Sequence, residues 1–211
     1  MSSTTASRSL LITLPTLVTG TYNVSVLAMD VLGNVGPAVI AVFTVDTDAP
    51  RSWFMGLMPP RYTSNRSLLL HVNGTDDTSH VSLTLSHNDG VTVDVRTANA
   101  VLTSTNGSAP VRVVGEVAYN ALIDGNHTFT VHAADAAGNG QSVVHDVLTM
   151  VVDSVAPTVT SVWVVGEPNA IGGYTRSTVD MQLCTTVDDD SPITAVNIGV
   201  DGVNTVAVLN R

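Results

Sequence analysis

The residues best suited to chemistry in this sequence are aspartates at turn and linker positions. Asp supplies sixteen of the eighteen acidic residues, and several stand close together, at 46 and 48, at 76–77 and at 188–190. Carboxylates held in one place repel each other unless a cation lies among them. Calcium takes about six to eight oxygen ligands from carboxylates, carbonyls and water, so calcium is the ion that these clusters would suit.

Asp also has a purely structural use, because its side chain accepts hydrogen bonds from nearby backbone N–H groups in turns. Asp30 and Asp135 each begin the same D-x-x-G-N turn. Asp89-Gly90 and Asp201-Gly202 have the composition of ordinary hairpin turns. Both interpretations of the acidic residues stay open at this stage. A melting temperature that rises with calcium and returns with EGTA would separate them.

Composition and motifs exclude several classes of function. A net charge of −10, with eight Arg and no Lys, leaves no basic surface for a nucleic-acid backbone. No apolar run has the length of a membrane span. The six His are scattered, H-E-x-x-H and G-x-S-x-G motifs are absent, and the single Cys184 fits best as a small apolar core residue. We therefore expect no enzyme activity, no nucleic-acid partner and no membrane span in this chain.

The remaining composition predicts strands. The chain has 36 Val, no Lys and only two Glu, which favours sheet over helix. Apolar and polar residues alternate over 23–28, 81–86, 91–96 and 128–133, and a period of two indicates half-buried strands. Turn residues separate these segments at short spacing, so the expected fold class is all-β.

An internal repeat organises the chain. Residues 20–34 (GTYNVSVLAMDVLGN) match residues 125–139 (GNHTFTVHAADAAGN) at an offset of 105. Residues 45–50 (VDTDAP) match residues 152–157 (VDSVAP) at an offset of 107. The unit is therefore about 105 residues long. The predicted divisions are 1–46 as the last part of one unit, 47–153 as a complete unit, and 154–211 as the first half of a third.

The repeated pattern G-x-Y-x-V-x-V-x-A-x-D-x-x-G-N, followed by F-T-V-D-x-x-A-P, resembles the tandem bacterial-type Ig-like repeats of large surface proteins and adhesins. These repeats are related in shape to fibronectin type III modules. The resemblance implies Ig-like antiparallel β-sandwich repeats in tandem and an extracellular or cell-surface location. One position departs from the family. Tyr22 stands where such modules place the tyrosine of the E–F corner, but His127 holds that position in the complete unit, so we expect a corner not sealed in the usual way.

Sandwich topology would bring the acidic clusters together at the junctions between units. The first predicted metal centre comprises Asp46, Asp48, Asp76, Asp77 and Asp135. The second comprises Asp153, Asp188, Asp189 and Asp190. Some Ig-like adhesin families use linker calcium in this way, so the resemblance points in the same direction as the residue types.

The expected function is a non-catalytic structural or adhesion segment of a cell-surface or secreted protein. Its partners would be the neighbouring Ig-like repeats of the same chain and a cell-surface or matrix ligand that the sequence does not identify. The alternative is an accessory or sugar-binding module of a larger secreted enzyme. Trp53 and Trp163 could stack on sugars if exposed, although core packing is the commoner use of such residues.

Five N-x-S/T sequons make glycosylation a further expectation, provided that the protein comes from a eukaryote. The candidate acceptors are Asn23, Asn65, Asn73, Asn106 and Asn126. Asn23 is expected on the polar face of its strand, which would permit a glycan.

Overall fold

A computed structural model describes residues 9, 11–103, 110–141, 146–164, 183–200 and 203–207. The prediction of an all-β fold is confirmed, since every regular element among these residues is a strand. The same residues include no helix of the length and apolarity required to cross a membrane. The strands are β1 (Gly20–Val26), β2 (Val39–Val45), β3 (Arg51–Met55), β4 (Tyr62–Thr63), β5 (Leu68–Asp76), β6 (Val81–Asn88), β7 (Val93–Thr97), β8 (Asn99–Leu102), β9 (Val111–Tyr119), β10 (Gly125–Asp135), β11 (Val147–Val152), β12 (Thr158–Val164), β13 (Leu183–Asp188), β14 (Val196–Val200) and β15 (Val203–Ala207).

Two sheets enclose one core in the region from β3 to β11. One sheet has the order β3-β5-β9-β8, with antiparallel neighbours throughout. The other has the order β4-β11-β10-β6-β7, in which only the short β4 runs parallel to its neighbour. Both sheets contribute buried apolar side chains to a single cluster. This arrangement is compatible with a β-sandwich.

The alternating sequence of β10 shows why the sheets pack face to face. Phe129 and Val131 are fully buried on the inner face, while Thr130 between them is only partly buried. Burying each such side chain stabilises the fold by about 1.5–3 kcal/mol. A period of two therefore produces one face for the core and one for solvent.

Strand β7 corrects one expectation. The alternation over 91–96 suggests that its valines face the core, but Val93 and Val95 are 67% and 63% exposed. Residues paired across antiparallel strands lie on the same face of the sheet. Asp94 pairs with the buried His87, whereas Val93 pairs with the exposed Asn88. The register with β6 thus turns the charged residues of β7 inward and its valines outward.

The repeat in the sequence corresponds to a repeated hairpin. Strand β1 pairs with β2 in the register Gly20↔Val45, and β10 pairs with β11 in the register Gly125↔Val152. The connecting segments share backbone hydrogen bonds from Asp30 N to Asn34 O and from Asp135 N to Asn139 O, both of 3.0 Å. After these hairpins, β12 pairs with β13 and β14 with β15, each antiparallel.

Gly74 tests how closely the two sheets pack. A methyl group on its Cα would lie 2.7 Å from Leu83 Cδ2 and 3.1 Å from Val81 Cγ1, both on the opposite sheet. We expect Gly74→Ala to lower the free energy of unfolding by about 1–3 kcal/mol, measured by urea denaturation. Gly140→Ala is the control, because its methyl group would meet no described atom within 4 Å. Equal stability of the two variants would contradict the packing described for β5 and β6.

Candidate metal centre

Three carboxylates meet where three separate parts of the chain converge. Asp46 directly follows β2, Asp76 ends β5 and Asp135 ends β10. One oxygen from each lies within 4.8 Å of the others. Asp76 is 3% exposed, Asp135 is 8% exposed and Asp46 is half-buried. The structure thus brings together three of the five aspartates predicted for the first centre.

A local turn holds Asp135. Its Oδ1 accepts a hydrogen bond from Asn139 N, and its Oδ2 accepts one from Asn139 Nδ2, both at 2.7 Å. Gly138 allows this turn, because its φ of 95° lies in a region that side-chain-bearing residues rarely adopt. Asn139 Nδ2 also donates to the backbone oxygen of Asp46 at 3.0 Å. This one amide therefore ties the turn after β10 to the segment after β2.

The other two carboxylates are each held through one oxygen. Asp76 Oδ1 accepts hydrogen bonds from Thr78 N at 2.8 Å and Ser79 N at 2.7 Å. Asp46 Oδ1 accepts one from Asp48 N at 3.2 Å. Within the part of the chain that the structure describes, the second oxygens, Asp46 Oδ2 and Asp76 Oδ2, are buried and have no hydrogen-bond partner.

Those two unpartnered oxygens are the observation that points to a ligand. A buried polar atom without a partner costs about 1–3 kcal/mol, and more when it is charged. Three carboxylates at this spacing also repel one another. The turn interpretation accounts for Asp76 Oδ1 and for both oxygens of Asp135, but it leaves these two buried oxygens unexplained.

The ligand chemistry of the three aspartates favours a hard cation. All the side-chain donors are oxygens, and the group contains neither His nor Cys, which zinc and copper sites commonly use. Calcium tolerates irregular geometry and completes its ligand sphere with carbonyls and water, whereas magnesium requires near-octahedral ligands at shorter distances. Asp46, Asp76 and Asp135 therefore fit calcium, for which backbone oxygens or solvent would supply the remaining ligands.

The other two aspartates predicted for this centre lie beside it. Asp48 and Asp77 are exposed. They line a neighbouring cleft of about 410 Å³ together with Arg51 and Thr75, and Asp76 borders this cleft as well. Adjacent residues on a turn point in different directions, so Asp77 does not follow Asp76 into the buried group. Among the described residues, Asp46, Asp76 and Asp135 are the only set of three metal-ligating side chains at mutual ligand distance.

The second predicted centre is not assembled in the same way. Asp153 and Asp190 line a cleft of about 420 Å³ with Arg61 and Asp124. Asp188 is exposed at the end of β13, and Asp189 Oδ1 accepts a hydrogen bond from Asp190 N at 3.0 Å.

One local feature of the first junction does recur at the second. Asp153 Oδ1 accepts a hydrogen bond from Val155 N at 3.0 Å, as Asp46 Oδ1 does from Asp48 N. The repeat phase would place a counterpart of Asp135 at a position past Arg211. The linker carboxylate and its hydrogen bond therefore recur at the second junction, and Asp188 ends β13 as Asp76 ends β5.

The sequon residues differ in accessibility. Asn23, Asn65 and Asn126 are exposed. Asn73 is 5% exposed within β5, so the folded protein has no room for a glycan there. Asn106 lies outside the described residues.

Of the two tryptophans, Trp53 is half-buried and Trp163 is exposed. Trp163 pairs across the sheet with Cys184, which is half-buried. Trp163 is therefore the tryptophan whose ring is open to a ligand.

Two functional features were missed from the sequence. The first is Asn139, which the recurrence of Asn34 in the repeat could have indicated, because Asn34 Nδ2 bonds Asp30 Oδ2 at 2.7 Å in the same turn. The second is a buried pair formed by His87 and His127, whose nearest ring nitrogens lie 2.9 Å apart. These residues are forty positions apart, and no local pattern connects them.

No protein-family model matches the chain, and no curated protein matches it.

Proposed function

We propose that this chain is a non-catalytic structural or adhesion segment of a cell-surface or secreted protein made of tandem Ig-like repeats. The repeats would occupy 1–46, 47–153 and 154–211, the first and third being partial. Support comes from the matching register of the β1–β2 and β10–β11 hairpins and from the two-sheet core to which the second hairpin belongs. The resemblance to bacterial-type Ig-like repeats supports the extracellular placement.

The observation that carries the proposal is the position of the carboxylate group. Asp46 belongs to the segment between β2 and β3, and the other two ligands belong to strand ends of the following sandwich. A calcium ion bound there would tie the linker to that sandwich and restrict bending between units. Pro50 also restricts bending, because proline fixes its own φ and limits the backbone conformations of the residue before it.

Calcium is expected to raise the melting temperature of the chain, and EGTA to reverse the rise. At a calcium concentration about a hundred times the Kd, the free energy of unfolding increases by about 2.7 kcal/mol. For a domain of about 100 residues this corresponds to a rise of roughly 10–20 °C, at about 4–8 °C per kcal/mol. Differential scanning calorimetry in calcium, in magnesium and in EGTA measures it. An identical melting curve in all three would contradict the calcium centre.

The alternative function is an accessory or sugar-binding module of a larger secreted enzyme. The exposed ring of Trp163 is the observation that favours it, because a flat aromatic surface can stack on a sugar. The genomic sequence on either side of this chain distinguishes the two proposals. Further copies of the unit favour a stalk, and a catalytic domain favours the alternative. Binding of the intact chain on a glycan array would support the sugar-binding role.

A further inference from the structure

A second polar cluster lies at the opposite end of the same sandwich. His87 is near the end of β6, His127 near the start of β10 and Tyr119 at the end of β9. His87 is 7% exposed, and the other two are 1% exposed. Phe129 stacks on the His87 ring with centroids 4.6 Å apart, and Tyr119 meets the same ring edge-on at 5.0 Å. Two titratable rings are thus enclosed in an aromatic core.

The hydrogen bonds restrict where the hydrogens of the two rings can lie. His127 Nε2 lies 2.8 Å from the backbone oxygen of Ile123. A carbonyl oxygen can only accept, so His127 Nε2 carries the hydrogen and donates it. His127 Nδ1 is then an acceptor in the neutral ring, and His87 Nε2 donates to it across 2.9 Å. In this arrangement a neutral His127 accepts the hydrogen bond from His87.

The bond from His127 to Ile123 closes the corner before β10. In the first hairpin, Tyr22 OH donates to the backbone oxygen of Val18 at 2.8 Å, which is the same bond to the residue four positions earlier. From the sequence we expect this corner not to be sealed in the usual way, because His127 stands in place of the tyrosine. The residue does differ, but its imidazole makes the same backbone contact. A phenol does not titrate near neutral pH, whereas an imidazole does. The corner of the complete unit is thus closed by an imidazole where the first hairpin uses a phenol.

The groups that face His87 come from three neighbouring elements and from the turn after its own strand. They are Asp89 in the turn, Asp94 and Arg96 on β7, Tyr119 on β9 and His127 on β10. Burial is the largest influence and lowers the pKa of His87, and His127 and Arg96 act in the same direction. Asp89 and Asp94 act against it. Asp94 also accepts a hydrogen bond from Arg96 Nε at 2.6 Å, so its charge is partly neutralised.

We propose that the His87–His127 pair is an acid-sensitive latch on the corner that precedes β10. Protonation of both rings places N–H groups on both sides of the 2.9 Å contact, which breaks the bond between them. The corner adjoins the downstream linker, because Asp124 accepts a hydrogen bond from Ser154 Oγ at 2.9 Å. Acid would therefore loosen the end of the sandwich that leads into residues 154–164. This inference does not depend on the calcium centre or on the proposed function.

The direction of the pH dependence follows from the lowered pKa of His87. The unfolded chain takes up the proton near the ordinary value of 6.5, whereas the folded chain resists it. Stability from this group is fully present above pH 6.5 and is lost as the pH falls below 6.5 towards the folded-state pKa. At pH 5.5 the unfolding equilibrium constant is raised by up to about tenfold for one histidine that stays neutral in the fold.

The test is urea denaturation of the 211-residue chain between pH 7.5 and 5.5, with EGTA throughout so that the cation centre contributes nothing. The variant is the double substitution His87→Phe with His127→Tyr, in which Tyr can keep the corner bond. The control is His80→Gln, which removes an exposed imidazole. We expect the wild type and the control to lose stability on acidification. The unfolding equilibrium constant of the double variant should rise by up to about tenfold less than that of the wild type. Parallel pH profiles for all three chains would overturn the proposal.

A second measurement keeps the proposal testable if the double variant does not fold. Nitrogen-15 spectra of the imidazole rings in the wild-type chain report protonation directly. We expect His127 to show the Nε2–H form at pH 7.5 and His87 to take up its proton only below the ordinary value of 6.5. An Nδ1–H form of His127, or a His87 ring that takes up its proton at or above 6.5, would overturn it.

Discussion

Replacing Phe129 with alanine is expected to lower the free energy of unfolding by about 3–5 kcal/mol. Phe129 is fully buried at the centre of β10 and stacks on His87. It also meets the Tyr119 ring edge-on at 5.0 Å. The substitution removes these ring contacts and leaves a cavity that the two surrounding sheets cannot close. Since domains are stable by only about 5–15 kcal/mol, much of the sandwich would unfold well below the melting temperature of the wild type.

Phe43→Ala is the matched control for this prediction. Phe43 is half-buried on β2 and stacks on Tyr22 at 5.7 Å, outside the core that β3 to β11 enclose. We expect it to leave the main unfolding transition nearly unchanged in calorimetry or urea denaturation. Equal destabilisation by the two substitutions would contradict the division of the chain at residues 46–47.

Asp76→Asn is expected to change stability in opposite directions with and without calcium. In EGTA the variant should be more stable by about 1–3 kcal/mol, because it removes one of three charges that repel across distances within 4.8 Å. The amide oxygen can still accept from Thr78 N and Ser79 N, and the new N–H₂ group can donate to the unpartnered Asp46 Oδ2. In calcium the variant should lose most of the rise in melting temperature that the wild type shows, because one of its three carboxylate ligands is gone.

Asp77→Asn provides the matched control, since it removes the same charge one position away from an exposed side chain outside the group. Melting curves of the three chains, each in calcium and in EGTA, complete the comparison. A variant at Asp76 that keeps the full calcium response would show that the carboxylates do not bind the ion. If Asp77→Asn lost as much of the calcium-induced rise in melting temperature as Asp76→Asn, the ion would lie in the neighbouring cleft instead.

Local features of the fold could be predicted from the sequence because their causes are local. The D-x-x-G-N turn recurs because Asp and Asn bond within five residues and Gly supplies the positive φ, as Asp135, Asn139 and Gly138 do. The strands of the two hairpins follow from a period of two. The meeting of Asp46, Asp76 and Asp135 was also predicted, because sandwich topology places a linker beside those strand ends.

Features that depend on the pairing of distant strands could not be predicted. Alternation in β7 does not say which set of residues faces inward, and only the register with β6 turns Asp94 towards the core and Val95 outward. Asn73 lies in a sequon, and glycosylation would need it exposed, yet the folded chain buries it.

Residue types and short-range spacing are enough to predict the all-β class, the repeated hairpin and the acidic linker. Which carboxylate oxygens of the described residues are buried without a partner depends instead on the folded arrangement. That arrangement also decides that His127, in the place of a corner tyrosine, reaches His87 forty residues away. Burial and long-range hydrogen bonding depend on how the two sheets pack. The spacing of two residues along the chain does not determine how far apart they lie in the folded protein.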